Sequence, residues 1–90
     1  MRVAFRVQGF VQGVGYRRFA EREAHALGLA GWVRNDPDGA VSGEAEGPEA
    51  DLAAFRARLA EGPAFGQVDH LDWRPLDVGS SLPRPFEIRR

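Results

Sequence analysis

Val7-Gln8-Gly9-Phe10-Val11-Gln12-Gly13-Val14-Gly15-Tyr16-Arg17 is where the chain changes its period, and with it its secondary structure. Before this stretch, Val3, Phe5 and Val7 alternate with Arg2, Arg6 and Gln8, the two-residue period of a half-buried strand. After it, Tyr16, Phe19, Ala20, Ala24 and Leu27 recur at helical spacing. Arg18, Glu21, Arg22 and His25 fall on the opposite face, and Gly28 supplies a stop. Three glycines in the segment from Gly9 to Gly15 separate the two regimes. A strand, a glycine-rich loop and a helix therefore follow one another.

The same reading extends to the rest of the chain. Trp32 and Val33 lead a second strand ending at Asn35, Asp36-Pro37-Asp38-Gly39 makes a turn, and Val41, Gly43 and Ala45 alternate with polar residues in a third. Pro48 stands where a helix should begin, Leu52, Phe55 and Leu59 form its buried stripe, and Gly62-Pro63 ends it. A less regular fourth strand spans Val68 to Trp73. Gly79-Ser80-Ser81-Leu82-Pro83 reads as a loop, and Phe86 to Arg89 as a short fifth strand. The order β-α-β-β-α-β predicts an α+β, ferredoxin-like two-layer sandwich. Two helices cover one face of an antiparallel sheet, which carries a short extra C-terminal strand.

Composition narrows the chemistry. Ninety residues make one domain, 1–90, and hydrophobic and charged fractions of 43% and 28% are those of a globular chain. Met1 and Arg90 suggest a complete small protein. Twelve basic residues balance thirteen acidic ones, a net charge of −1, so no global field draws nucleic acid or an anionic membrane. Every basic residue is Arg, which excludes a Schiff-base lysine and a P-loop lysine. With no cysteine there is no disulfide, thiolate nucleophile or cysteine-ligated metal. Arg6 interrupts any signal-peptide core, and no apolar run approaches the roughly 18 residues of a membrane span. A cytoplasmic monomer is the expectation.

One constellation carries chemistry. A glycine-rich turn can aim its N–H groups inward at an anion, and the helix that follows adds unpaired N–H groups and the positive end of its dipole. Arg17 falls in the first helical turn, where that dipole disfavours a cation. Its placement makes sense if a phosphate or carboxylate sits between, gripped by two hydrogen bonds. The ordinary reading is a flexible turn followed by a solvated Arg. Asn35, for its part, is ordinary turn chemistry before Asp-Pro-Asp-Gly. Topology joins the two: in a split βαβ the first and second strands are parallel and end at one sheet edge, roughly 10 Å apart. Elsewhere His25 and His70 share no ligand spacing, so no metal is expected. Ser80 and Ser81 lack a triad context, Trp32 and Trp73 read as packing, and Glu44, Glu46, Glu49 and Asp51 as solvated surface.

Gly9-Phe10-Val11-Gln12-Gly13-Val14-Gly15-Tyr16-Arg17 resembles the first signature of the acylphosphatases, and Gly31-Trp32-Val33-Arg34-Asn35-Asp36-Pro37-Asp38-Gly39-Ala40-Val41 resembles the second. Gly47-Pro48-Glu49 and Phe86-Glu87-Ile88-Arg89 extend the likeness over nearly the whole chain. The resemblance implies hydrolysis of acyl phosphates, the mixed anhydrides of carboxylic and phosphoric acids, to carboxylate and inorganic phosphate. It implies that Arg17 binds the phosphoryl group together with the loop's backbone N–H groups, over Phe10, Val11, Gln12, Gly13, Val14, Gly15 and Tyr16. Asn35, by the same likeness, positions the attacking water. No metal, cofactor or covalent enzyme intermediate is implied. The expected partners are a small acyl phosphate and inorganic phosphate, as product or inhibitor, with no nucleic acid and no membrane. The alternatives are a non-catalytic phosphate- or nucleotide-binding module on the same fold, an RNA-binding domain (which lacks its aromatic-and-basic string here), and a domain cut from a larger enzyme.

Overall fold

The computed structural model describes residues 1–77 and 79–90. The elements run β1 (Arg2–Phe10), α1 (Tyr16–Ala26), β2 (Ala30–Asn35), β3 (Val41–Glu46), α2 (Glu49–Glu61), β4 (Gln67–Leu76) and β5 (Glu87–Ile88). They form one sheet in the order β4-β1-β3-β2-β5. β3 is antiparallel to both β1 and β2, which are therefore parallel to each other with β3 between them. β4 adds antiparallel to β1. This is the expected ferredoxin-like α+β sandwich. The short β5 runs parallel to β2, with Trp32 opposite Glu87 and Val33 opposite Ile88, so the complete sheet is mixed.

Alternation decides which face is covered. Val3, Phe5 and Val7 from β1, Val33 from β2, and Val41 and Ala45 from β3 join Tyr16, Ala20 and Ala24 of α1 and Leu52, Phe55 and Leu59 of α2 in one buried cluster. Both helices thus pack on the same face. Phe55 is fully buried at the centre, meeting Phe5 edge-on at 5.7 Å and Phe86 at 5.8 Å. Such pairs contribute about 0.5–1.5 kcal/mol beyond their burial. Gly28 and Gly62, both with positive φ, terminate the helices as expected.

Several boundaries differ from the sequence reading. β1 continues through Gly9 and Phe10, which pair with Val68 and Gln67 across a register shift. Gly9 takes φ 134°, and a Cβ there would collide with the Gln67 carbonyl, so only glycine lets the strand continue. Pro48 is the cap of α2 rather than its first residue. β4 extends over ten residues and includes Pro75, which an edge strand tolerates because one side of its ladder is unpaired.

On the uncovered face, Trp32 is half-buried beneath two guanidiniums, Arg34 at 5.2 Å and Arg89 at 5.1 Å. It sits in a cation–π cluster rather than in the core. Trp73 does pack against the core, stacked with Phe5. Glu46 is not merely solvated surface, because it accepts from Nε and NH2 of the buried Arg2 at 2.9 and 2.6 Å. Arg2 also donates to the Ser80 carbonyl at 2.6 Å, which ties the C-terminal segment to the sheet.

Candidate functional site

β1 and β2 are parallel, so Phe10 and Asn35 end at the same sheet edge, two strand spacings or ~10 Å apart. The segment that leaves β1 is pinned by Val11, which is buried in the core, and emerges again at Gly13 and Gly15. Both glycines are left-handed, with φ 75° and 79°. A Cβ at either would meet nothing within 4 Å, so the space beside this backbone is open to a ligand.

Gly15 also caps α1, and it brings no side chain to do so. The first turn carries no Asp or Glu, and no side chain bonds to its free amides. The N–H groups at the start of α1, unpaired within the helix by geometry, point with the positive end of its dipole toward the same open space. Arg17 is in that turn. Among the described residues it takes no part in an ion pair. The hydrogen bond it donates from Nη1 to the Arg89 carbonyl is long at 3.4 Å and exposed.

These parts enclose a cavity of about 210 Å³. The loop and helix contribute Val11, Gly13, Gly15, Tyr16, Arg17 and Arg18, and Asn35 faces them from the end of β2. Ile88 and Arg90 close the remaining side. The lining holds three guanidiniums and no Asp, Glu or His side chain, which is the electrostatics of an anion site. A larger concavity of about 480 Å³ lies on the open face of the sheet. Its Arg6, Arg34 and Arg74 share that lining with Asp36, Glu44 and Asp72, and Arg6 and Arg34 pair with Asp36, so the larger space has less net charge to offer an anion.

The structure therefore brings Arg17, Asn35, Val11, Gly13, Gly15 and Tyr16 to one cavity. Phe10, Gln12 and Val14 do not line it. Phe10 is the exposed last residue of β1, Val14 packs on the core, and the Gln12 side chain turns toward the β2–β3 connection. The Tyr16 ring belongs to the core, where burial pushes its phenol well above the usual range and its OH donates to the Leu59 carbonyl at 2.6 Å. Only the backbone of Tyr16 can serve an anion.

Arg18, Ile88 and Arg90 also line the cavity, and local sequence pattern does not mark them. Arg18 reads in sequence as the polar face of α1. The other two reach the cavity only because β5 runs parallel beside β2. Among the described residues no three His, Cys, Asp or Glu side chains gather into a metal-binding set. His25 bonds instead to the Phe86 carbonyl at 2.8 Å and His70 to Asp72 at 2.9 Å.

The family model for Acylphosphatase matches residues 3–88, nearly the whole chain. The chain belongs to the acylphosphatase family. Acylphosphatase 2 of Ralstonia nicotianae is 47% identical over 89 residues, covering 99% of this chain and 93% of that protein. The crystal structure of the Bacillus subtilis acylphosphatase superposes with a TM-score of 0.94 at 37% identity, covering 99% of this chain and 98% of that one. The acylphosphatase fold also occurs within something far larger. Full-length HypF, in a phosphate- and nucleotide-bound form, matches with a TM-score of 0.84 at 28% identity. That match covers 99% of this chain but 12% of HypF.

Proposed function

We propose that this chain hydrolyses acyl phosphates, with the phosphoryl group held by Arg17 and by N–H groups of the Gly13–Gly15 segment and the first turn of α1. The observation that carries the reading is one cavity shared by uncapped amides, a guanidinium with no ion-pair partner among the described residues, and Asn35, in a member of the acylphosphatase family. The chemistry asks little more than this. A carboxylate is a good leaving group, so the main task is to hold the phosphoryl oxygens and stabilise the charge that shifts as the bond breaks.

Asn35 positions the water. The oxygen of that water forms a bond to phosphorus while the phosphorus–acyl oxygen bond breaks and its electron pair leaves on the carboxylate. An uncharged amide orients water but cannot deprotonate it, and no acidic or imidazole side chain lines the cavity. The water's proton therefore passes to an oxygen of the substrate's own phosphate. No metal or cofactor enters the scheme. A cytoplasmic monomer remains part of the proposal, resting on the charged surface composition and the single small core.

The test is hydrolysis of benzoyl phosphate in the presence of excess chelator, with inorganic phosphate as competitive inhibitor. Turnover that survives the chelator is expected. Asn35→Ala should lower kcat about 10²-fold or more, as loss of one oriented transition-state contact does, while the inhibition constant of phosphate stays within a few-fold. Weakened phosphate binding with intact kcat would remove Asn35 from the water-positioning role. Phosphate binding by a folded wild-type chain without turnover would favour the non-catalytic alternative.

A further inference from the structure

Gln12 lies in the glycine-rich segment between Val11, which is buried in the core, and Gly13, which lines the cavity. Its side chain points away from the cavity. The amide nitrogen, Nε2, donates to the Asp36 carbonyl at 2.8 Å and to the Ala40 carbonyl at 2.8 Å. Those two carbonyls stand at opposite ends of the turn that joins β2 to β3. Both N–H groups of one amide thus span the base of that turn.

The turn begins one residue after Asn35, whose Cα is ~3.8 Å from that of Asp36. Asn35 itself is the last residue of β2, paired with Val41. The Gln12 amide is therefore a direct bridge between the loop that would hold the phosphoryl group and the peptide that carries the water-positioning side chain.

The turn does not require this bridge to satisfy its own polar groups. The Ala40 carbonyl already accepts the Asp36 N–H at 2.8 Å, and the Asp36 carbonyl already accepts the Gly39 N–H at 3.2 Å. Asp36 is further fixed through its carboxylate, which accepts from Ser42 Oγ at 2.9 Å and from Arg6 NH1 at 3.2 Å. Gln12 contributes second bonds to carbonyls that would not be orphaned by its loss. What it adds is a direct tie between the anion loop and a turn that lies more than twenty residues further along the chain.

We propose that the Gln12 side chain is a positioning residue. By bridging the anion loop to the Asp36–Ala40 turn, it sets the distance and angle at which Asn35 presents water to a phosphoryl group held by the loop. This assignment rests on the hydrolase reading above. It separates two functions that share the cavity. Loss of the bridge leaves the loop's own amides and Arg17 in place, so phosphate binding persists. It lets Asn35 drift relative to the bound phosphorus, and a displacement near 1 Å in such an arrangement can cost ~10²-fold in rate.

The experiment compares Gln12→Ala and Gln12→Glu with wild type, using benzoyl phosphate as substrate, inorganic phosphate as competitive inhibitor, and circular dichroism to verify folding. Gln12→Glu keeps the size and shape of the side chain but presents only acceptors to two carbonyls at neutral pH. A role in packing would survive that change and a donor bridge would not. For both variants kcat should fall about 10- to 100-fold, the range a sub-ångström to 1 Å misplacement spans, with the phosphate inhibition constant within about threefold of wild type. Unchanged kcat in Gln12→Glu overturns the assignment. So does a phosphate inhibition constant that rises in step with the loss of rate, because the side chain would then be shaping the anion loop alone. A wild-type chain that does not turn over benzoyl phosphate refutes the hydrolase reading and this inference with it. Wild-type turnover with unaffected variants refutes this inference only.

Discussion

Arg17→Ala should uncouple activity from stability, and the structure gives the size of each effect. On the stability side, four small contributions compete. The hydrogen bond to the Arg89 carbonyl is long, 3.4 Å, and exposed, so its loss costs at most about 0.5 kcal/mol. Arg17 is only half-buried, and withdrawing part of its aliphatic stem from the surface costs about 1 kcal/mol at about 0.8 kcal/mol per fully buried methylene. Against these losses, removing a cation from the first turn of a helix gains about 0.3–1 kcal/mol, and Ala is a slightly better helix former than Arg. The net change is within about 1 kcal/mol of zero. For a domain of this size that keeps Tm within roughly 8 °C of wild type.

Activity answers to a different interaction. A guanidinium gripping two phosphoryl oxygens makes two charge-assisted hydrogen bonds, each contributing about 1.5–3 kcal/mol. Their loss lowers the rate by about 10²- to 10⁴-fold at about 1.4 kcal/mol per factor of ten. Initial rates of benzoyl phosphate hydrolysis and a thermal melt followed by circular dichroism measure both effects on one preparation. Arg17→Lys, which keeps the charge and loses the fork, should fall between wild type and Ala. A rate within tenfold of wild type would refute the anion-ligand role. A lost rate accompanied by a Tm drop beyond about 10 °C would show that Arg17 acts through the fold instead.

Two further outcomes follow from the packing and the surface charge. Tyr16→Phe removes a buried hydroxyl that donates to the Leu59 carbonyl and joins α1 to α2; urea unfolding should show about 1–2 kcal/mol of lost stability at an unchanged m-value. Asp38 behaves as a lowered carboxyl, chiefly because Arg6 donates to it and secondarily because the Ala40 N–H does. A depressed folded value means that the ionised form stabilises the folded chain. This contribution is fully present above the unfolded value near 3.9 and is lost as pH falls through the lower folded value. Asp38→Asn should therefore shrink the loss of stability between pH 5 and the acid limit in a series of denaturant melts, and an unchanged acid slope would refute the pairing with Arg6.

Much of this site is legible in the sequence, for a physical reason. Strand and helix periods are written in residues two and three-to-four apart, and both are unambiguous on either side of Gly9–Gly15. Once the order β-α-β-β-α-β is read, sheet geometry brings the ends of β1 and β2 to one edge without reference to any side chain. That is why Arg17 and Asn35, eighteen positions apart, could be paired in advance. The glycines declared their role in the same way, since Gly13 and Gly15 occupy left-handed backbone that other residues enter only with strain.

What sequence did not reveal shares one feature: it depends on which strand lies next to which, in which direction, and on where a polar side chain finds its partner. β5 is two residues long, too short for a period, and its parallel pairing to β2 is what carries Ile88 and Arg90 to the cavity. Gln12 reads locally as a polar loop residue, and its two acceptors lie twenty-four and twenty-eight residues away. Arg2 alternates with Val3 as an outward residue should, yet it is 6% exposed because Glu46 and the Ser80 carbonyl arrive over it from distant segments. Local patterns thus specify the backbone frame of the site and the residues that could touch phosphate. The relative placement of those residues comes from tertiary hydrogen bonds, and a bridge such as Gln12 becomes visible only when both of its ends are in view.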